Sequence, residues 1–334
     1  MRAFIIGCAG LTLSAQDRAF IADARPWGFI LFKRNVGTPE QVARLAAEFR
    51  SVTGRADAPV LIDQEGGRVQ RLGPPHWPRY PAASFFRSLN CDAFEQRAFV
   101  RLSARLMAHD LSGLGITVDC LPVLDVPVAG AHSVIGDRAY ALEPHEVALF
   151  ARAACEGLLA GGVLPVIKHI PGHGRANADS HLELPIVTTA RKTLETHDFL
   201  PFQILADMPL AMTAHVVYQA IDAAGPATTS RKIMREIVRG HIGYDGLVMT
   251  DDLSMKALAG TFRQRAERAF QAGVDMALHC NGDLGEARAV AEGTPELKGG
   301  ALARAKAALA RIRHVAEPLD VEAAREKLAS VFAG

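Results

Sequence analysis

Eight short apolar runs, spaced along the chain, restrict the folds that this sequence can adopt. Each run is rich in Val, Ile and Leu, and most are separated by segments with the apolar period of an amphipathic helix. The runs lie at residues 2–10, 28–33, 59–63, 116–121, 163–168, 209–214, 246–250 and 275–279. The helical segments lie at 39–52, 94–114, 144–160, 231–242 and 262–272, with two more at 301–315 and 321–332.

This alternation predicts an α/β fold with a parallel sheet. Nearly continuous apolar strands are typical of a parallel sheet that helices cover on both faces. Eight such strands favour a closed (β/α)8 barrel, the TIM barrel, over an open doubly wound sheet. The 334 residues contain no linker, low-complexity segment or break in composition, so we predict a single TIM-barrel catalytic domain over residues 1–334.

Composition argues against several classes of protein. The 37 basic and 36 acidic side chains nearly cancel, and 6% of residues are aromatic, so no surface for nucleic acid is indicated. No apolar run has the roughly 18 residues of a membrane span, and Ile6-Gly7-Cys8 follows too short a segment for a lipoprotein leader. The five cysteines form no CxxC pair, which favours free thiols in a reducing compartment. We expect a cytoplasmic protein that acts as a monomer, without nucleic-acid or membrane partners.

Polar residues are concentrated where the predicted strands end, and the strand starts hold no comparable set. Asp63 to Arg71 follow the third strand, Asp119 and Asp125 the fourth, Lys168 and His169 the fifth, His215 the sixth, and Thr250, Asp251 and Asp252 the seventh. In TIM barrels the active site lies at the C-terminal ends of the strands. The pattern therefore predicts a catalytic or ligand-binding site at this end of the barrel.

The segment after the fifth strand is the densest of these polar sets. It reads KHIPGHG from Lys168 to Gly174, and Asp179-Ser180-His181 follows. Pro171 and the two glycines exclude a regular helix, so the segment is predicted to be a loop. Because buried polar groups without partners are costly, so many of them indicate a functional site rather than packing.

Four motifs together resemble glycoside hydrolase family 3. They are LIDQEGGRVQR, VIGDRAY, KHIPGHG followed by ADSH, and TDDLSM, and they occur in the order that the family shows. More narrowly, the chain resembles the bacterial exo-β-N-acetylglucosaminidases (β-hexosaminidases) that trim peptidoglycan fragments during cell-wall recycling. The resemblance implies removal of N-acetylglucosamine from anhydro-N-acetylmuramic acid, with or without peptide, in a muropeptide substrate. It implies no cofactor and no metal.

The resemblance also implies catalytic roles for three residues. Retention of configuration needs a carboxylate nucleophile and a proton donor, and the matching positions are Asp251 for the nucleophile and His181 for the acid/base, supported by Asp179. Histidine can give and take a proton near neutral pH, and a carboxylate can fix its tautomer. Asp252 is the competing carboxylate, but alternation along a strand end should turn it away from Asp251. Its alternative role is capping of a helix, together with Ser254.

Five more residues match positions that hold the sugar in the similar enzymes: Asp63, Arg71, Arg138, Lys168 and His169. Carboxylates accept from sugar hydroxyls, and arginine offers a planar fork of donors. The alternative is a structural ion-pair network at the rim of the barrel. Glu65, Arg68, His173 and Asp125 are expected to support these groups through hydrogen bonds, and neither His215 nor Asp119 has an assigned role.

Three other functions stay open from the residues alone. A glycoside phosphorylase is one, because a histidine acid/base leaves less negative charge near an incoming phosphate. A metal-dependent barrel hydrolase is another, with His169, His173 and His181 as zinc ligands, although Pro171 and Gly172 exclude a helical HExxH arrangement. A sugar-binding protein without catalysis is the third.

Overall fold

The computed structural model describes residues 1–180 and 182–332 and contains a closed parallel barrel of eight strands. The strands are β1 Arg2–Ile6, β2 Pro26–Leu31, β3 Val60–Ile62, β4 Val118–Asp119, β5 Leu164–Ile170, β6 Leu210–Thr213, β7 Leu247–Asp252 and β8 Met276–His279. Each strand pairs in parallel with the next along the chain, and β8 pairs with β1 to close the barrel. The predicted (β/α)8 TIM barrel is confirmed, and each predicted apolar run overlaps one strand.

Side chains of the strands divide between two apolar layers. In β7, Leu247 and Met249 belong to the cluster inside the barrel, whereas Val248 packs in the larger cluster between the strands and the helices. In β5, Val166 lies inside and Ile167 outside. Both layers are needed because a parallel strand is covered on both faces, which explains why the runs are apolar throughout.

Eight α-helices of nine or more residues surround the barrel in the described part of the chain. They are α1 Ala15–Ala24, α2 Pro39–Thr53, α3 Ala93–Ser112, α4 Pro144–Ala160, α5 Phe262–Ala272, α6 Leu284–Glu292, α7 Gly299–Leu309 and α8 Val321–Phe332. Their ends follow ordinary capping rules: the Thr38 hydroxyl accepts from the backbone of Gln41, and Thr261 and Gln264 form a capping box. The segment predicted at 301–315 is helical only to Leu309, and the first strand ends at Ile6 rather than at residue 10.

One predicted helix has an unusual hydrogen-bond pattern. The segment Ile233–His241 is a π-helix, in which the backbone N–H of Ile242 donates to the carbonyl of Ile237, five residues earlier. Apolar periodicity placed this helix correctly at 231–242. It could not distinguish the wider turn, because i→i+4 and i→i+5 bonding present similar faces over so short a segment.

Two small sheets extend the C-terminal end of the barrel. Gln64–Gly66 and Val69–Gln70 form an antiparallel hairpin directly after β3, and Ile186–Val187 pairs in parallel with Val217–Tyr218. The hairpin turn needs glycine, since Gly66 and Gly67 both have positive φ and a Cβ on Gly66 would overlap the carbonyl oxygen of Pro81. The EGGR part of the sequence motif is thereby explained as a turn that positions its neighbours.

The cysteines and the helices bear on two other sequence expectations. All five cysteines are free thiols, and four of them are buried. Within the described residues, no helix combines the length and apolar character that crossing a membrane requires.

Candidate active site

A cavity of about 360 Å³ opens at the C-terminal ends of the strands. Seven of the eight predicted site residues line it: Asp63, Arg71, Arg138, Lys168, His169, Asp179 and Asp251. The eighth, His181, lies outside the described residues. The structure therefore brings together all the predicted site residues that it describes, from positions as far apart in sequence as 63 and 251.

A buried network of opposite charges forms one wall of the cavity. The Lys168 ammonium, on a side chain only 2% exposed, lies 2.6 Å from Glu65 Oε1 and 3.1 Å from Asp63 Oδ1. Arg71 donates to the other Asp63 oxygen at 2.9 Å. Arg138 binds Glu65 with two parallel hydrogen bonds of 2.9 Å each. Each buried charge is thus paired, as burial requires.

The network holds its members in their charged forms. Burial alone would raise the pKa of Glu65, but Arg138 and Lys168 outweigh it and lower the pKa to about 2. Lys168 and Arg71 likewise hold the pKa of Asp63 well below its usual range against burial. Burial would lower the pKa of Lys168, but Glu65 and Asp63 raise it above its ordinary value. At neutral pH these groups are fixed donors and acceptors, suited to holding the polar groups of a ligand rather than to transferring protons.

His169 is oriented by a buried carboxylate. Its Nδ1 lies 2.6 Å from Asp125 Oδ2, while Asp125 Oδ1 accepts from the backbone N–H groups of His169 and His173 at 3.2 and 2.6 Å. Burial opposes the ionised form of Asp125, but the two histidines lower its pKa. An ionised Asp125 accepts from Nδ1 of His169, so this contact fixes the ring and leaves Nε2 available for a hydrogen bond in the cavity.

Asp251 and Asp252 end β7 in different surroundings. Asp251 is 8% exposed and lines the cavity, and one of its oxygens accepts from the backbone of Asp252 at 2.8 Å. Asp252 accepts from the backbone and hydroxyl of Ser254 at 3.0 and 2.6 Å, and from the backbone of Cys280 at 3.1 Å. Asp252 therefore stabilises a turn, where the sequence suggested a helix cap, and it borders the cavity as well.

The loop after β5 is held closely against its neighbours. Gly174 lies so near Val126 that a Cβ would overlap the Val126 carbonyl, and Arg175 binds Asp198 through bonds of 2.9 and 2.8 Å. His173 contacts the Ser180 hydroxyl at 3.3 Å. Burial, with a smaller contribution from the nearby His169, lowers the pKa of His173 to about 4, so this ring is neutral at neutral pH.

The comparisons with known proteins agree with this geometry. A family model, the N-terminal domain of glycosyl hydrolase family 3, matches residues 7–315. The chain belongs to glycosyl hydrolase family 3. A beta-hexosaminidase of Alkalilimnicola ehrlichii is 41% identical over 282 residues, which cover 83% of this chain and 80% of that protein. The resemblance inferred from the four motifs is confirmed.

Solved structures extend the likeness to the whole barrel of this family 3 chain. Native NagZ from Neisseria gonorrhoeae is 31% identical, with a TM-score of 0.88, and the match covers 99% of this chain and 97% of that chain. The same Neisseria protein in complex with N-trifluoroacetyl-D-glucosamine matches with a TM-score of 0.87 at 30% identity, covering 99% and 98%.

Sequence reasoning underestimated two buried carboxyl groups of this family 3 site. Glu65 was expected only to support the site, yet it joins Lys168 to Arg138 at the centre of the network. Asp119 lies beside that network: Oδ1 accepts from the backbone of Gln64 at 2.9 Å, and Oδ2 has no hydrogen-bond partner among the described residues. Burial raises the pKa of Asp119 well above its ordinary value. In the sequence, Asp119 is distinguished only by its position at a strand end, and that position does not indicate a role.

In this family 3 chain, His215 connects two segments through hydrogen bonds. Its Nδ1 lies 2.7 Å from the Thr228 hydroxyl, and its Nε2 lies 3.1 Å from the carbonyl of Asp252, so it links the loop after β6 to the end of β7. Among residues 1–180 and 182–332, no three His, Cys, Asp or Glu side chains are grouped so that they could hold a metal ion.

Proposed function

We propose that this family 3 chain is a retaining exo-β-N-acetylglucosaminidase. The observation that carries the proposal is that Asp251 and the network of Lys168, Asp63 and Glu65 line the same cavity. The network offers fixed donors and acceptors for the hydroxyls of one terminal sugar, and Asp251 offers a carboxylate to its anomeric carbon. The relatives named beta-hexosaminidase, and the Neisseria complex with an N-acylated glucosamine, support an N-acetylhexosamine as that sugar.

In the proposed mechanism Asp251 attacks the anomeric carbon while the bond to the leaving oxygen breaks. His181 gives a proton to that oxygen, and the product is a covalent glycosyl–enzyme ester on Asp251. His181 then takes a proton from water, which attacks the same carbon and releases the sugar with its configuration retained. Asp179 holds the His181 ring and stabilises the imidazolium, as a carboxylate does in a serine-protease triad.

The remaining residues hold the sugar while this happens. Together they bind the hydroxyls and the acetamido group, and they are Asp63, Arg71, Arg138, Lys168 and His169. Because Asp125 keeps the His169 proton on Nδ1, we assign His169 Nε2 as a hydrogen-bond acceptor for one hydroxyl. These groups act by positioning, and the lowered pKa values of Asp63 and Glu65 support a role without proton transfer.

The natural substrate proposed is N-acetylglucosamine joined to anhydro-N-acetylmuramic acid, with or without peptide, released from peptidoglycan during recycling. We propose a cytoplasmic monomer, and the unpaired state of all five cysteines supports a reducing compartment. Hydrolysis is favoured over phosphorolysis, since the cavity residues Lys168, Arg71 and Arg138 are all paired with carboxylates and leave little positive charge for phosphate.

The deciding experiment compares turnover of 4-nitrophenyl N-acetyl-β-glucosaminide with turnover of the matching glucoside. We expect a strong preference for the glucosaminide, with the β-anomer of N-acetylglucosamine as the first product in NMR spectra. A preference for the glucoside would refute the hexosaminidase assignment. Formation of sugar 1-phosphate in phosphate buffer would show phosphorolysis instead, and activity lost to a chelator and restored by zinc would favour the metal-dependent alternative.

A further inference from the structure

The segment after β2 contributes to the active-site cavity a side chain that the proposed function does not use. Phe32 directly follows β2, and its ring lines the cavity. The guanidinium carbon of Arg71 lies over this ring, 5.0 Å from its centroid, and that of Arg34 lies over it at 5.1 Å. A guanidinium within about 6 Å of an aromatic centroid is attracted by the negative face of the ring. Phe32 therefore contacts a predicted sugar-binding residue through its ring.

The position of Phe32 does not depend on Arg71, because Asn35 fixes its backbone. Asn35 is fully buried, and its Oδ1 accepts from the Phe32 backbone at 2.9 Å. Its Nδ2 donates to the carbonyls of Cys8 and Gly10, just beyond β1, at 3.0 and 2.7 Å. Phe32 is thus anchored to a neighbouring strand end and is a preformed part of the cavity wall.

The two guanidinium groups at this ring are held to different degrees. Arg34 donates to two backbone carbonyls, one of them that of Cys8 at 2.9 Å, so the backbone holds it in place. Within the described ranges, the Arg71 side chain has one hydrogen bond, to Asp63 at 2.9 Å, and its buried Nε has no hydrogen-bond partner. A single bond at one end of a guanidinium leaves its plane free to turn. The Phe32 ring provides a second contact, which restricts that rotation.

We propose that Phe32 is a positioning residue of the sugar site, which orients the Arg71 guanidinium through a cation–π contact. The inference rests on the proposed function, because Arg71 must bind the sugar for its orientation to matter. Asp63 accepts from one Arg71 nitrogen, and the ring sets the plane of the nitrogens left for the sugar. A group that is already oriented loses less freedom on binding. We expect this arrangement to stabilise the bound sugar in the ground state and in the transition state alike.

The test varies the electron density on the ring face while the shape of the ring is kept. Phe32 is replaced in the full chain by 4-fluoro-, 3,5-difluoro- and 3,4,5-trifluorophenylalanine, since each added fluorine weakens the negative potential of the face. On 4-nitrophenyl N-acetyl-β-glucosaminide we expect kcat/KM to fall stepwise, by about 3- to 10-fold in total, mainly through a higher KM. The melting temperature should stay nearly constant. The same series at Phe29, whose ring stacks on Phe49 in the apolar layer, is the matched control and should leave kcat/KM unchanged.

A second arm of the experiment removes the cation. In Arg71→Gln, the fluorine series at Phe32 should have no effect on kcat/KM, because the contact that the fluorines weaken is gone. Losses of the same size in this background would overturn the proposal and would assign the ring to the sugar or to Arg34. A constant kcat/KM across the series in the parent chain would overturn it too, even if Phe32→Leu were inactive.

NMR spectra of the ligand-free protein separate this inference from the function on which it rests. The Nε–H signal of Arg71, identified by its absence in Arg71→Lys, should lie upfield because of the Phe32 ring current and should move downfield in Phe32→Leu. An unchanged signal in Phe32→Leu would contradict the contact. A protein inactive on every glucosaminide would refute the proposed function, and the NMR signal would still decide whether Phe32 positions Arg71.

Discussion

Asp251 and Asp252 are adjacent carboxylates with different hydrogen-bond partners, and we expect them to have different roles. Asp252 accepts hydrogen bonds from Ser254 and Cys280 and so holds together the end of β7 and the turn after it. Both carboxylates line the cavity, and one Asp251 oxygen accepts from the backbone of Asp252. The difference follows from alternation along the strand, which turns neighbouring side chains toward different partners.

Replacement of either aspartate by asparagine should separate these tasks. Asp251→Asn is expected to lower kcat on an aryl glucosaminide by roughly 10³-fold or more, because the proposed nucleophile is lost. Added azide should restore turnover and yield the α-glycosyl azide. Asp252→Asn should mainly lower the melting temperature, with no azide rescue. Rescue of Asp252→Asn in place of Asp251→Asn would exchange the two roles.

His181 is proposed as the proton donor, and its effect should depend on the leaving group. His181→Ala is expected to lose activity on the natural disaccharide by roughly 10²- to 10⁴-fold, the usual contribution of general acid–base catalysis. The loss should be much smaller for cleavage of an aryl glycoside with a very acidic phenol, since its oxygen leaves without a proton. Initial rates across a series of phenols measure this dependence. Equal losses throughout the series would count against His181 as the acid.

Asp125, expected from the sequence to support the site through hydrogen bonds, illustrates how a supporting carboxylate can control a predicted site residue. In Asp125→Asn, the amide can present its NH2 to His169, which would place the ring proton on Nε2 and remove the acceptor from the cavity. We expect kcat/KM to fall about 10- to 100-fold while the fold is kept. An NMR spectrum of labelled histidine should show the exchanged tautomer. An unchanged tautomer with the same loss of activity would refute this explanation.

Residue types and motifs were sufficient to predict most of the candidate site residues. The ion pairs between residues that are distant in sequence could not be predicted. Asp63, Lys168 and Asp251 could be predicted because each ends a strand, and all strand ends meet at one face. The bidentate bond between Glu65 and Arg138 joins positions 73 residues apart, and its geometry depends on the hairpin after β3. Nothing in the local sequence specifies which carboxylate will form an ion pair with a distant arginine.

At the scale of elements, the loop after β5 depends on its contact with the loop after β4. Gly174 lies against the backbone of Val126, and the backbone of His132 donates to the carbonyl of Ala176 at 2.9 Å. The first contact leaves no room for a side chain. The active-site loop is therefore positioned by backbone packing as much as by its own side chains.

Gly174→Ala should accordingly displace this loop. Overpacking of this kind typically costs about 1–3 kcal/mol of the free energy of unfolding, and we expect activity to fall together with stability. Urea denaturation and kinetics on an aryl glucosaminide measure the two effects. Gly10→Ala makes the same chemical change where no atom lies within 4 Å, and it serves as the control. A Gly174→Ala protein as stable and active as the parent would contradict the packing argument.

Element boundaries were less predictable than element types. The run at 116–121 also contains Thr117 and Asp119, and only Val118–Asp119 forms the barrel strand, although the carbonyls of Leu121 and Pro122 still accept from the backbones of Val166 and Lys168 in β5. Pro122 lacks the N–H that a continued strand would use. Apolar character therefore identified the strand, whereas its length was set by the backbone beyond it.

At the scale of the whole molecule, the barrel was predictable because the same sequence pattern repeats along the chain. Eight apolar runs, five of them followed by polar residues, indicate a closed parallel sheet and the end of the barrel where the predicted site residues lie together. The contact between Phe32 and Arg71 could not be predicted, since the two residues belong to different loops and come together only when β2 pairs with β3. Contacts of this kind arise from assembly of the strands rather than from any one segment.

The pH dependence of stability also belongs to the whole molecule. Burial lowers the pKa of His173, His215 and His279, so each is neutral in the folded state. As pH falls below about 6.5, these histidines take up protons in the unfolded chain before they do so in the folded one, and the free energy of unfolding decreases. Asp119 acts in the opposite direction, because burial raises its pKa and the folded state holds the extra proton.

Replacement of His173 measures the contribution of this one histidine to the pH dependence of the free energy of unfolding. For His173, with a folded pKa of about 4, the loss between pH 7.5 and 4.5 is roughly 2 kcal/mol. Urea denaturation across this range should therefore show that His173→Gln loses that much less stability on acidification than the parent does, whatever its starting stability. His314→Gln, at an exposed position, should follow the parent curve. Parallel curves for the parent and His173→Gln would mean that His173 is protonated in the folded protein as readily as in the unfolded chain.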